Sequence, residues 1–167
     1  MSQIDARKQE QFYGKFKVLI CSDKDNYEKV SILESILKEK GFRAYVVIDN
    51  SHSNFISSEL KDMIRSSICF IAILTSKLLA SGLFNQEIGY AQGKGLHIIL
   101  FVDSKLKNDG IHDIPTKLTV VEFNEDNFIQ QCLSVAEKVS KVAEILDEPI
   151  DFESFLDFYT KSKTKQT

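Results

Sequence analysis

Four stretches of this chain are apolar almost without interruption, and they constrain its fold more than any other feature. They are FKVLIC (16–21), FRAYVVI (42–48), SICFIAIL (67–74) and LHIILFV (96–102), with a shorter fifth, TVVEF, at 119–123. A strand with one face in water alternates apolar and polar residues, whereas a strand covered on both faces has no such need. These runs therefore predict a parallel sheet with helices on both sides. Helical periodicity lies between them. Tyr27, Val30, Leu33 and Leu37 mark a first helix, stopped by Gly41. Ile56, Leu60, Met63 and Ile64 mark a second, and Phe84, Ile88 and Ala91 a third. Phe128, Cys132, Val135, Val139 and Val142 mark a long helix near the C-terminus. Such alternation implies right-handed βαβ units. The expected fold class is α/β: a flavodoxin-like three-layer α/β/α arrangement with a five-stranded parallel sheet in the order 2-1-3-4-5. Residues 103–117, DSKLKNDGIHDIPTK, read as a loop broken by Gly110 and Pro115.

With 167 residues the chain is one domain by length. A polar N-terminal segment (1–15) precedes the domain (16–148). The C-terminal extension (149–167) puts Phe152, Phe155, Leu156 and Tyr159 on one helical face before a polar tail. A net charge of −3 gives no electrostatic reason to expect nucleic acid or an anionic membrane. No apolar run approaches the roughly 18 residues of a membrane span. The polar start MSQIDARKQEQFYGK lacks the apolar stretch of a signal peptide. Cys21, Cys69 and Cys132 each fall inside an apolar run at unrelated spacings, as buried free thiols do, and a cytoplasmic chain is expected. His52, His97 and His112 have no metal-ligand spacing, so no metal is expected; no cofactor is expected either.

In a doubly wound sheet, ligands bind beyond the carboxyl ends of the strands, where the strand order reverses. Here that point lies between the first and third strands, with SDKDN (22–26) on one side and TSKLLASGL (75–83) on the other. Glu87 lies in the early turns of the helix that follows, on the shoulder of its apolar face rather than on its solvent side. Two readings are open from the residues alone. An acid near a helix start is favoured by the macrodipole, by roughly 0.3–1 kcal/mol; equally, the position suits a reacting group. Ser22 likewise reads as a cap for the first helix, with Asp25 as an imperfect capping-box partner, or as a ligand contact. Cys21, at the end of the first strand, is the one cysteine placed to line a site. The glycines of GYAQGKG follow a helix and precede a strand, so they stop a helix and do not cradle a phosphate. Strand three ends in ILTS without an aspartate, which removes a phosphorylated receiver domain.

Four segments in order resemble the TIR domain family: VLICSDKDNYEKV, ILKEKGFRAYVVID, SELKDMIRSSICFIAILTSKLLAS and LFNQEIGYAQGKGLHIILFVD. The likeness runs from about Lys17 to Asp103 and more loosely to about Leu146. It departs from the family pattern at Leu83, where tryptophan is usual, at Cys21-Ser22, and in residues 48–59, which lack the usual glycine. The resemblance implies that Glu87 is the catalytic residue of an NAD+ nucleosidase or ADP-ribosyl cyclase. It implies substrate contacts at Cys21, Ser22, Asp23, Lys24, Ser76, Leu83 and Phe84. The partners implied are NAD+ as substrate, further copies through TIR–TIR contacts, and a separate effector that responds to the product, as in Thoeris-type antiphage defence. A non-catalytic TIR assembly module is the alternative, and a nucleoside 2-deoxyribosyltransferase-like enzyme a third reading.

Overall fold

The computed structural model describes residues 13–49, 55–109 and 118–147, together with 156, 160 and 161. Its strands are β1 (Lys17–Ser22), β2 (Arg43–Ile48), β3 (Cys69–Leu74), β4 (His97–Asp103) and β5 (Thr119–Phe123). Its helices are α1 (Tyr27–Glu39), α2 (Ser58–Arg65), α3 (Ser76–Leu79), α4 (Gly82–Gly93) and α5 (Phe128–Asp147). The sheet order is β2-β1-β3-β4-β5, and every neighbouring pair is parallel. This is the flavodoxin-like arrangement expected from the apolar runs.

Strand pleat divides the core in two. Val18 and Ile20 of β1, Ile71 and Ile73 of β3, and Ile99 and Phe101 of β4 meet α1 and α5 on one face. Leu19 and Cys21, Phe70 and Ala72, and Ile98 and Leu100 meet α2, α3 and α4 on the other. The three central strands are buried on both sides, which is why their sequences are continuous in apolar residues. β5 is an edge strand whose Val120 is exposed, and its run is correspondingly short. Among the described residues no helix is long and apolar enough to cross a membrane.

Several local expectations need correction. Tyr27 opens α1 but is 68% exposed, so the buried stripe of that helix is Val30, Leu33 and Leu37. α3 occupies part of the expected loop 75–83; Thr75 starts it by accepting a hydrogen bond from the Leu78 amide at 3.2 Å. Ser104–Asp109 forms a 3-10 turn inside the expected loop 103–117. Beyond α5, Leu156, Thr160 and Lys161 are helical, and Leu156 is exposed. Phe152, Phe155 and Tyr159 lie outside the described residues, as do residues 1–12, His52, Gly110, His112 and Pro115.

Candidate active site

α4 is set by its ends. Ser81 accepts from the Phe84 amide at 3.2 Å, and Gly95 ends the helix region with φ +75, a backbone conformation that side chains resist. Phe84 and Ala91 anchor the helix in the core, and Glu87, next to Ala91 on the wheel towards Tyr90, is carried inward with them. It is 1% exposed, deeper than the shoulder position expected from periodicity. The Cys21 thiol donates to Glu87 Oε2 at 3.2 Å, while Oε1 is buried without a hydrogen-bond partner.

A carboxylate in this position is costly to ionise. Burial pushes the Glu87 pKa up from the ordinary 4.5 to about 7; the bond from Cys21 opposes this and the nearby Asp49 charge adds to it. Burial also raises the Cys21 thiol well above its usual value, reinforced by the charge of Glu87 and its hydrogen bond and by the charges of Asp49 and Asp23. Cys21 is therefore held as a thiol, a fixed donor to the carboxylate.

A cavity of about 300 Å³ opens beside Glu87. β2 contributes Val46, Val47 and Ile48; Phe55, Ser57, Glu59, Leu60 and Met63 come from the approach to α2 and from α2 itself; Leu83 and Glu87 complete it from α4. Its described lining is mostly apolar, and the ionisable groups among those described residues are two acids, with no Lys, Arg or His. A second hollow of about 420 Å³ lies on the other side of the sheet between α1 and α5, near Tyr13, Lys40 and Glu137, and among the described residues its lining includes no unpartnered buried polar atom. Among the described residues no group of three or more His, Cys, Asp or Glu stands together as a metal site.

The expected substrate contacts are dispersed. Cys21 lies beneath Glu87, and Leu83 forms a cavity wall. Phe84 is fully buried in the core and presents no surface to a ligand. Ser22 is buried, and pleat alternation turns it to the α1/α5 side of the sheet, away from Cys21 and Glu87; it does not cap α1. Asp23 caps instead, accepting from the Asp25 amide at 2.9 Å to form a 3-10 turn at Lys24–Asn26. Its other oxygen accepts from the Thr75 hydroxyl, and Lys77 pairs with Asp25 beside it. These two ties join the loops after β1 and β3. Lys24 and Ser76 are exposed and line no part of the cavity. The cavity beside Glu87 lies one strand over, towards the β2 edge. Sequence reasoning missed its β2 and α2 walls, whose apolar residues look like ordinary core.

No protein-family model matches the chain, and no curated protein matches it. Among solved structures it is similar to a diflavin flavoprotein A3 from Nostoc sp., 10% identical with a TM-score of 0.52, covering 78% of this chain and 94% of that one. The C-terminal domain of glucosamine-fructose-6-phosphate aminotransferase from Francisella tularensis is 19% identical with a TM-score of 0.50, covering 84% of this chain and 38% of that one. A CMP N-glycosidase from Clostridium botulinum is 22% identical with a TM-score of 0.46, covering 71% and 96%. At these identities the likeness is one of fold.

Proposed function

We propose that the chain is an NAD+ nucleosidase or ADP-ribosyl cyclase of the TIR type, cleaving the bond between nicotinamide and ribose. One observation carries the reading: a fully buried carboxylate with one oxygen unpartnered, at the wall of a cavity lined by apolar groups and acids. Nicotinamide in NAD+ is a flat cation. Val47, Leu60, Met63 and Leu83 suit its ring, and Glu59 and Glu87 suit its charge.

Glycoside cleavage commonly employs two carboxylates, because an alkoxide leaving group must be protonated. Nicotinamide needs no acid. The C1′–N1 bond breaks with its electron pair going to the ring nitrogen, which leaves neutral. Positive charge then develops at C1′, and a fixed carboxylate at about 4 Å is worth about 4 kcal/mol there at an effective dielectric constant near 20. Water adding to C1′ gives ADP-ribose and loses its proton to the Glu87 carboxylate; an internal nucleophile gives a cyclic isomer instead. Cys21 fixes the carboxylate through Oε2 so that Oε1 meets the sugar. Assembly through TIR–TIR contacts, and a separate effector that reads the product in antiphage signalling, belong to the same proposal.

The test is nicotinamide release from NAD+ by concentrated protein, with products resolved by chromatography. Glu87→Gln preserves shape and removes the charge, and should reduce release by on the order of a thousandfold. Release that survives the substitution overturns the reading.

A further inference from the structure

Three buried side-chain atoms among the described residues have no hydrogen-bond partner: Ser22 Oγ, Asp49 Oδ1 and Glu87 Oε1. Buried polar groups are nearly always paired, so each unpaired one calls for an explanation. The mechanism above uses Glu87 Oε1. Ser22 faces the opposite side of the sheet. Asp49 is unexplained.

Its place in the fold is well defined. Ile48 pairs with Ser22 at the end of β2, and the Asp49 amide donates to the Ser22 carbonyl at 2.8 Å, continuing the ladder by one residue. That bond is made by the main chain and leaves the side chain uncommitted. Pleat alternation puts Asp49 on the face of Val47, which packs with Cys21 in the core layer under α2 and α4. Asp49 follows directly on the cavity wall formed by Val46, Val47 and Ile48. It is also near enough to Glu87 and Cys21 for its charge to raise the pKa of both. Two carboxylates from different elements thus converge on one side of the sheet, each with one oxygen awaiting a donor.

A carboxylate accepts and does not donate. What fits a pair of such acceptors is a pair of adjacent hydroxyls, and a ribose carries them at C2′ and C3′. We propose that Asp49 is the sugar-reading residue of this site, accepting a hydrogen bond from the hydroxyls of the ribose whose bond to its base is cleaved, and so selecting ribosyl over deoxyribosyl substrates. The inference rests on the reading of Glu87 given above and adds to it the recognition of the sugar.

The experiment compares NAD+ with its nicotinamide-side 2′-deoxy and 3′-deoxy analogues as substrates of the unaltered protein and of Asp49→Asn. Each protein gives a ratio of kcat/KM for NAD+ over each analogue. The ratio does not depend on how much of a variant is folded, and the intrinsic reactivity of each analogue cancels between proteins. Asp49→Asn should cut the preference for NAD+ by tenfold or more for at least one analogue, with Asp49→Glu restoring part of it. Among the described residues the ionisable groups around Glu87 are Cys21 from β1, Asp49 after β2 and Glu59 from α2; removing the Asp49 charge should also move the acidic limb of kcat/KM to lower pH. An unchanged ratio for both analogues overturns the Asp49 assignment while release sensitive to Glu87→Gln leaves the enzyme standing. Release that ignores Glu87→Gln, or no release at all, overturns both.

Discussion

Glu87 carries opposite demands. The folded protein favours its protonated form, because burial raises its pKa from 4.5 to about 7, whereas the proposed chemistry needs the carboxylate. For stability the sign follows from the raised folded value. Its favourable contribution is fully present below about pH 4.5 and is lost as pH rises towards 7. We therefore expect Glu87→Gln to stabilise the protein at pH 8, by up to about 3 kcal/mol, and to leave stability near that of the parent at pH 4. Urea titrations at the two pH values measure this; equal midpoints at pH 8 would mean that the carboxylate is not strained by burial. Activity has the reverse dependence. For the free enzyme, kcat/KM should fall tenfold per unit of pH below about 7, the value set for Glu87 by burial. A carboxylate that weakens the fold and carries the reaction is the pattern expected of a functional group.

At the scale of the element, the glycines around α4 separate two kinds of backbone position. Gly89 is helical, and a Cβ built there meets nothing within 4 Å. Gly95 also has open space, but its φ is +75. Gly89→Ala should therefore stabilise by about 0.5–1 kcal/mol through backbone entropy, and Gly95→Ala should destabilise by about 1 kcal/mol. Denaturant midpoints shifted in the same direction by both substitutions would contradict this account. The contrast also bears on what was legible in the sequence. Central strands announce themselves, because burial on both faces removes polar residues from Val18–Cys21, Cys69–Leu74 and Ile98–Val102. Gly41 and Gly95 are visible as helix stops. α3 was not, since a four-residue helix has no period to read; its start depends on the Thr75 hydroxyl, which also serves Asp23. Asp23 and Thr75 stand 52 residues apart, and nothing local in either loop discloses that they meet.

For the whole molecule, that tie joins the two loops at the switch point of the sheet. Topology alone locates a ligand between β1 and β3 and puts the helix of Glu87 at that carboxyl edge, but it left two readings of the residue open; as a candidate, Glu87 was legible only through the resemblance to TIR domains. Asp49 was not, because its signal is an oxygen without a partner, a property that exists only after folding. The β1 and β3 loops are joined, and the cavity beside Glu87 is on the β2 side, walled by that strand, α2 and α4. A ligand entering there bridges β2, α2 and α4, and so stabilises the fold by mass action. At a hundred times its Kd a ligand contributes about 2.7 kcal/mol. In a chain of this size each kcal/mol raises Tm by roughly 2–4 °C, so Glu87→Gln, expected to bind with turnover greatly slowed, should melt some 5–10 °C higher in saturating NAD+. Because assembly is part of the proposed function, that rise should grow with protein concentration at fixed NAD+, as it does whenever binding and association favour the same state. A rise that is independent of protein concentration separates NAD+ binding from assembly and removes the second from the reading. A melt unmoved by millimolar NAD+ at every protein concentration removes the first.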